Sequence, residues 1–140
     1  VRTLIELARG LADVERAQPG PAYRKQRHLR RFNALVDRDY RQRRPIADYA
    51  AELGITATQL NRICRELRAC SALGVVNARI LLEAERDLVY TTLGVKEVAL
   101  GLGFADAAYF TRFFVRQTGR TPSAFREHAR RQLAAQRRRR

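Results

Sequence analysis

A run of polar side chains between residues 58 and 65 carries hydrogen-bonding groups that match the edges of DNA bases. An arginine can pair with the O6 and N7 acceptors of guanine, and an asparagine can pair with adenine through two bonds. Such pairing requires the side chains to share one exposed face, so the surrounding elements decide whether it is possible. The run consists of Thr58, Gln59, Asn61, Arg62 and Arg65.

The residues that could support catalysis or bind a metal are few and poorly placed. Cys64 and Cys70 are six residues apart in a helical pattern, so they are expected on different helix faces, where neither a disulfide nor a shared metal ion is natural. His28 and His128 have no second ligand at a metal-binding spacing. The sequence therefore predicts no catalytic group, no metal and no cofactor, with two reduced thiols in a cytoplasmic protein.

The composition favours a folded protein that binds a polyanion. The chain has 140 residues, a hydrophobic fraction of 46% and a net charge of +14, and 26 of its 28 basic residues are arginine. Nucleic acid is the first candidate partner, and an anionic membrane surface is the second. An arginine-rich proteome would also give this charge, so charge alone supports nucleic acid without establishing it. No apolar run approaches the ~20 residues that a membrane span requires.

One short helical pattern occurs twice, beginning at Ile46 and again at Val95. A repeat of this kind predicts two structural units of the same type. At a spacing of 49, the matching residues are Ala50, Leu53 and Gly54 with Ala99, Leu102 and Gly103. At a spacing of 50, they are Leu60, Arg62 and Ile63 with Phe110, Arg112 and Phe113.

The first copy predicts a helix-turn-helix. Its helices are expected over Ile46–Leu53 and 57–69, with a turn at Gly54 and a cap at Thr56. The second helix of such a motif is the one presented to DNA, which places the polar run on the outside. The residues expected to face inward are Leu60, Ile63 and Leu67.

The second copy follows a predicted spacer helix over residues 75–91, which at 1.5 Å per residue spans about 25 Å. This copy predicts a helix over 95–102, a turn at Gly103 and a helix over Ala107–Thr118 with a cap at Asp106. Its expected core is more aromatic than that of the first copy, and consists of Phe104, Phe110, Phe113 and Phe114.

The segments outside the repeat predict three further helices. A break at residues 18–21 separates an apolar seam within residues 1–18 from a helix over about 23–43. The seam, formed by Leu4, Leu7, Leu11 and Val14, either dimerises and links to an upstream domain or packs on this one. A last helix is expected to open at Thr121 and Pro122, turn Phe125 inward and place Arg126 against backbone or a carboxylate.

The predicted architecture is all-α, with about seven helices and an additional amphipathic helix at the N-terminus. Residues 1–18 form the linker or dimerisation helix, and residues 19–28 a linker and the start of the first domain helix. Residues 29–128 hold the two helix-turn-helix units, and residues 129–140 form a basic tail without fixed structure. Since the chain starts at Val1 and contains no methionine, we expect it to be a fragment of a longer polypeptide.

Two helix-turn-helix units joined by a long helix resemble the DNA-binding domain of the AraC/XylS family of bacterial transcription regulators. The second copy carries most of the resemblance, in Val98, Ala99, Gly103, Phe104, Asp106, Tyr109, Phe110, Arg112, Phe113, Phe114, Gly119, Thr121, Pro122 and Arg126. Weaker support comes from Ala50, Leu53, Gly54, Leu60, Arg62, Arg79, Ala84 and Leu88. The sequence departs from the family at Cys64, where an aromatic residue is usual, and at Ala69, where glycine is usual.

The resemblance implies a double-stranded DNA reader that places two recognition helices in successive major grooves, about 34 Å apart. The implied base-reading residues are Thr58, Gln59, Asn61, Arg62, Ala107, Ala108, Thr111 and Arg112. The implied phosphate-binding residues are Arg65, Arg68, Arg116 and Arg120. Because the first copy has the richer polar face, it is expected to be the main discriminator of sequence.

The resemblance also implies a cytoplasmic transcription activator that contacts RNA polymerase while bound to DNA. Its small-molecule effector would bind an N-terminal sensor domain that is missing from this chain, and residues 1–18 could form a homodimer. Two other function classes compete with this interpretation. A repair enzyme would need a reactive cysteine with a nearby base, which the sequence does not provide. A basic helical module for RNA or anionic surfaces would bind by charge alone.

Overall fold

Residues 20–140 are described by a computed structural model, and within them the chain forms seven α-helices and no strand. The helices are α1 (Pro21–Asp39), α2 (Ile46–Leu53), α3 (Ala57–Arg68), α4 (Ala72–Tyr90), α5 (Val95–Gly101), α6 (Ala107–Thr118) and α7 (Pro122–Arg138). The predicted all-α architecture with two helix-turn-helix units is thereby confirmed. The apolar seam of Leu4, Leu7, Leu11 and Val14 lies outside the described residues.

The first unit, α2 with α3, packs under α1. Gly54 ends α2 in the left-handed region (φ +75°), as predicted. Two helical residues predicted to be inward, Leu60 and Ile63, are buried, but the prediction for Leu67 is wrong, because this side chain is 41% exposed. Leu67 lies in the last turn of α3, and the core position is filled by Cys64, one turn earlier, which is fully buried.

The helix before the first unit is shorter than the sequence predicts. It ends at Asp39 and continues as a 3₁₀ turn over Tyr40–Gln42, where a single helix to residue 43 was expected. Arg43 then adopts a left-handed conformation (φ +56°), which a helix cannot contain. The segment 40–44 therefore forms a tight corner between α1 and α2.

The spacer helix α4 joins the two units and lies in the core of the molecule. It starts at Ala72 instead of Val75, because the Ser71 hydroxyl oxygen accepts a hydrogen bond from the Gly74 N–H at 3.0 Å and caps the helix. Its 19 residues correspond to a length of about 28 Å. The side chains that it buries are Ala72, Val75, Val76, Ile80, Ala84 and Leu88.

The second unit, α5 with α6, has the aromatic core that the sequence predicts. The Asp106 carboxylate caps α6 by accepting from the Tyr109 N–H at 2.7 Å. Phe104 contacts Phe110 and Phe113 with ring centroids 5.2 Å apart in each pair. Phe114 in turn meets Phe125 of α7 edge to face at 5.3 Å. Edge-to-face aromatic pairs of this kind add about 0.5–1.5 kcal/mol to simple burial.

The last helix confirms one prediction and corrects another. Thr121 caps α7, and the Arg126 Nε donates to the Leu88 carbonyl oxygen of α4 at 2.8 Å, the backbone contact that was expected. The tail over residues 129–140 was expected to lack fixed structure, but α7 continues to Arg138. Alanine, glutamine and arginine are strong helix formers, so the segment extends the helix although it buries little. No helix within residues 20–140 is long and apolar enough to cross a membrane.

Ala69 occupies a backbone conformation that normally selects glycine. It ends α3 with φ +56°, while Gly119 ends α6 at the equivalent position of the repeat with φ +77°. A left-handed conformation costs a residue with a side chain about 1–2 kcal/mol, because its Cβ approaches the following carbonyl oxygen. The sequence departure at Ala69 thus leaves the turn intact and makes it strained.

Ala69→Gly should raise the free energy of unfolding by about 0.5–1 kcal/mol, since the relief of strain exceeds the larger entropy of glycine in the unfolded chain. Chemical denaturation followed by circular dichroism measures this difference. Gly119→Ala is the matched control and should shift stability in the opposite direction. An Ala69→Gly protein less stable than wild type would contradict the prediction.

Candidate nucleic-acid interface

The outward face of α3 forms a shallow depression on the surface of the first unit. Its lining residues are Thr58, Asn61, Arg62, Arg65 and Glu66. Four of these five belong to the polar run that the sequence singled out, so the fold does bring these groups to one face. The depression is open to solvent along the helix, which suits contact with a long polymer better than enclosure of a small molecule.

Arg62 makes no ion pair within residues 20–140, and its acidic neighbour on α3 pairs with α1 instead. Glu66, one turn further along α3, accepts a hydrogen bond from the Lys25 ammonium of α1 at 2.8 Å. Among residues 20–140 neither Arg62 nor Arg65 makes an ion pair, and both are exposed. An Arg62–Glu66 pair along the helix would compete with base contact, whereas here Glu66 pairs with Lys25 of α1.

Gln59 is committed to the start of α3. Its side-chain Oε1 accepts from the Thr56 N–H at 2.9 Å, and its own N–H donates to the Thr56 hydroxyl oxygen at 3.1 Å. This reciprocal pair is a capping box, which satisfies two otherwise unpaired donors at a helix start. Base reading by Gln59 stays a prediction; in this arrangement its amide NH₂ group is not used by the cap, while its oxygen already accepts one hydrogen bond.

Asn61 connects the recognition helix to the spacer helix. Its side-chain Oδ1 accepts a hydrogen bond from the Ala72 N–H, the first residue of α4, at 2.9 Å. Two-bond pairing with adenine needs the amide oxygen as acceptor as well as the nitrogen as donor. One lone pair of this oxygen is therefore used by the Ala72 N–H, and the expected adenine contact would have to share the oxygen with that donor or displace it.

The outward face of α6 forms the corresponding depression of the second unit. It is lined by Tyr109, Thr111, Arg112, Val115 and Arg116. Tyr109 and Val115 are large, about 40% exposed, and were not predicted as interface residues. Sequence reasoning missed them because apolar and aromatic side chains are expected in the core. The sequence feature that could have predicted them is their position on the helix, three residues before and three residues after the exposed Arg112.

The remaining predicted residues of the second unit are the two alanines at the start of α6, one turn before Arg112. Ala108 is exposed and Ala107 is half-buried at the start of α6. Arg112 lies with its guanidinium carbon 5.9 Å from the centre of the Tyr109 ring and has no ion pair within residues 20–140. A helix start with small side chains permits close approach of the backbone to a groove wall or a phosphate.

The four arginines predicted to bind phosphate border different depressions or turns of the described structure. Arg65 borders the α3 depression and Arg116 borders the α6 depression. Arg120 is exposed just beyond the end of α6. Arg68, in contrast, lines a separate depression with residues of α1 and α4, including Asp37 and Arg79. Arg68 thus lies on the same helix as Arg65 but borders a different depression from the one that Arg65 and Arg62 line.

A buried carboxylate fixes the corner on which the first unit is built. Asp39 is 4% exposed and accepts hydrogen bonds from Arg38 at 2.7 and 2.9 Å and from Arg44 at 2.7 Å. Glu52 of α2 accepts from the same two guanidinium groups. The hydrogen bonds from Arg38, followed by those from Arg44, hold the pKa of Asp39 below its usual value, and the same arginines lower the pKa of Glu52.

These pKa shifts predict a loss of stability in acid. The carboxylates stabilise the fold fully above their unfolded-state pKa of about 4, and this contribution disappears as the pH falls through the lower folded-state values. Asp39→Asn should lower stability at pH 7 and flatten the fall in the free energy of unfolding below about pH 5. Chemical denaturation at a series of pH values measures this dependence of the free energy of unfolding on pH. A slope in Asp39→Asn equal to that of the wild type would refute the assignment.

Cys64 offers no reactive group in this region. Cys64 is buried in the core of the first unit, and burial raises the pKa of its thiol to about 11. A thiol with this pKa stays protonated at neutral pH and is a poor nucleophile. The position where relatives are expected to carry an aromatic residue is thus filled here by a small, inert side chain.

The segment that carries both depressions matches a single protein family. A family model described as a helix-turn-helix domain matches residues 49–128, more than half of the chain. The chain belongs to the AraC-type helix-turn-helix family. The matched segment runs from within α2 to within α7 and so includes both recognition helices. The AraC-type family is a class of transcription-regulator DNA-binding domains and not a class of enzymes.

Curated relatives and a solved structure agree with the AraC-type assignment. The chain is 25% identical to the transcriptional regulator ExsA of Pseudomonas aeruginosa over 72% of its length and 36% of that protein. It is 34% identical to the probable transcription factor PqrA of Proteus vulgaris over 56% of its length and 65% of PqrA. This chain therefore spans between about a third and two thirds of the length of these relatives. The DNA-binding domain of AdpA, solved with a target DNA, superimposes with a TM-score of 0.68 at 25% identity, over 74% of this chain and 94% of that domain.

Proposed function

We propose that this chain binds double-stranded DNA sequence-specifically and regulates transcription, with α3 and α6 in successive major grooves on one side of the duplex. The observation that carries the proposal is the pair of open, arginine-bearing depressions, one on the second helix of each unit. The net charge of +14 supplies the long-range attraction to the phosphate backbone. The DNA-binding part proper is residues 29–128.

The proposed readers are divided between the two units. Arg62 and Arg112 hydrogen-bond to guanine edges, since both guanidinium groups are free of ion pairs within residues 20–140. Apolar contacts to thymine methyl groups come from Thr58, Ala107, Ala108 and Thr111. Arg65, Arg116 and Arg120 hold phosphates and so fix the register of the protein without specifying sequence.

The wider role extends to partners that the chain would meet on the promoter. Activation by contact with RNA polymerase is proposed because several relatives bear the name activator, among them RhaR of Salmonella typhi. Residues 1–18 connect to a sensor domain for a small-molecule effector and provide a homodimer contact. The regulator acts on bacterial DNA in the cytoplasm and has no catalytic activity.

Selection of bound duplexes from a random pool, followed by footprinting on the enriched sequence, tests the proposal. The expected pattern is two protected major-groove segments on one face of the duplex, separated by about one helical turn. Enrichment of a single segment would limit recognition to one unit. Absence of any enriched sequence would overturn the proposal and favour the alternative, a basic helical module that binds RNA or anionic surfaces by charge alone.

A further inference from the structure

The corner after α1 touches the second unit directly. The Arg41 Nη1 group donates a hydrogen bond to the Gly101 carbonyl oxygen at the end of α5, at 2.8 Å. The same guanidinium lies 3.6 Å from the Glu83 carboxylate of α4. One side chain of the corner that leads into the first unit thus contacts both the spacer helix and the turn of the second helix-turn-helix.

The backbone of this corner fills the space beside Gly103. A Cβ atom added at Gly103 would lie 2.0 Å from the Arg41 carbonyl oxygen and 3.0 Å from the Arg43 Cγ. Gly103 itself has φ +86° and forms the turn between α5 and α6. The two units therefore meet backbone to backbone at this point, with no side chain between them that could adjust its rotamer.

Arg43 covers the aromatic core of the second unit. Its guanidinium carbon lies 4.2 Å from the centre of the Phe104 ring and 5.5 Å from that of Tyr109, and its Nη2 is 3.5 Å from the Tyr109 hydroxyl. Stacking of a guanidinium on an aromatic face is favourable electrostatically and by packing. Arg43 holds a left-handed backbone (φ +56°), a conformation that persists where surrounding contacts fix it.

The corner is also anchored to the spacer helix. The Arg79 guanidinium of α4 stacks 4.4 Å from the centre of the Tyr40 ring and donates to the Asp37 carboxylate at 2.8 Å. The two units are thus joined in two ways. One is the covalent link through α4, and the other is the direct contact between the corner and the turn at Gly103. A single connecting helix could bend or twist at its ends, whereas two separate connections restrict rotation of one unit relative to the other.

We propose that Arg41 and Arg43 set the base-pair spacing between the two DNA segments that this domain recognises. They act as positioning residues: they fix the distance and rotation between α3 and α6 and contact no base themselves. The inference rests on the proposed function, since it presupposes a two-part site. One inserted base pair moves a half-site by about 3.4 Å and rotates it by roughly 35°, so a rigid pair of recognition helices discriminates strongly against the change.

The test measures affinity of the 140-residue chain for its selected two-part site and for versions with the spacer altered by one or two base pairs. Wild type should lose roughly tenfold or more in affinity for each changed base pair. The Arg41→Ala/Arg43→Ala variant should bind the original spacing more weakly, and its preference among spacings should fall to about threefold or less. Arg27→Ala/Arg31→Ala removes the same charge from the exposed face of α1 and should keep the full preference of wild type.

The possible outcomes distinguish a positioning role of Arg41 and Arg43 from a general loss of positive charge or of protein stability. A uniform loss on all spacings in the Arg41→Ala/Arg43→Ala variant would overturn the proposal, because spacing preference would then be independent of the contact. If that variant is unfolded by circular dichroism at the assay temperature, the two single variants replace it. Reduced spacing preference in either one supports the proposal, and an unchanged preference in both overturns it. Failure of the proposed function looks different, since no two-part site would be selected from the random pool.

Discussion

Gly103→Ala should lower the free energy of unfolding by about 3 kcal/mol or more, one of the largest effects of a single methyl group expected in this chain. Two costs combine: the left-handed backbone costs alanine about 1–2 kcal/mol, and overpacking against a fixed neighbour costs about 1–3 kcal/mol. The neighbour is the Arg41 carbonyl oxygen, 2.0 Å from the position of the new Cβ. Because this atom belongs to the backbone of another unit, it cannot move aside by changing a rotamer. Urea denaturation of both proteins measures the difference.

Gly54→Ala provides the control that separates the two costs. Gly54 has nearly the same left-handed backbone (φ +75°) at the equivalent turn of the first unit, but a Cβ there meets nothing within 4 Å. We expect this variant to lose only about 1 kcal/mol, which is the backbone cost less the entropy that alanine saves in the unfolded chain. Equal losses in the two variants would show that the contact between Arg41 and Gly103 carries no energetic cost.

Arg62→Ala should reduce affinity for the selected DNA site by about 1–3 kcal/mol, which is roughly a 5- to 150-fold rise in Kd. The loss should be concentrated at one base pair, where the variant accepts other bases, because the guanidinium supplies both donors to guanine. The structure supports a direct contact, since Glu66 is bound to Lys25 and leaves Arg62 without a partner among the described residues. Affinity measurements on a panel of single-base substitutions at constant salt resolve the effect by position.

Deletion of residues 137–140 is the comparison for the Arg62 variant. It removes four exposed arginines, two in the last turn of α7 and two beyond the end of that helix. We expect all duplexes to be bound more weakly by the same factor and the salt dependence to become shallower, by up to about 0.9 per lost phosphate contact. Equal losses on selected and random duplexes for both the Arg62→Ala protein and the deletion would remove the case for base reading by α3.

The bounds of most helices could be predicted because their signals are local. Thr56, Asp106 and Thr121 cap the helices that they were expected to cap, and Gly54 and Gly103 form the two turns. Caps and left-handed turns involve residues within four positions of each other, so residue type and spacing suffice to predict them. The prediction that residues 129–140 lack fixed structure is wrong because it follows from the basic composition of the segment and not from the helix propensity of its alanines and arginines.

The side-chain roles within the recognition helix were only partly predictable. Gln59 has the type expected of a base reader, and its engagement with Thr56 could have been recognised from the capping-box pattern. The hydrogen bond from the Ala72 N–H to the Asn61 side chain could not be predicted from sequence, because it depends on where α4 begins relative to α3. Burial of Cys64 in place of Leu67 likewise depends on which part of α3 the neighbouring helices cover.

Hydrophobic periodicity and capping act over a few residues, so residue type and spacing are enough to predict the two helix-turn-helix units, their family and the face of each that carries polar groups. Which of those groups form hydrogen bonds within the protein, and how the two units are held relative to each other, depends on tertiary packing. Arg41 and Gly101 are 60 residues apart in sequence and bonded in space, and no local pattern encodes such a contact. It arises when the long helix α4 folds the corner of one unit against the turn of the other.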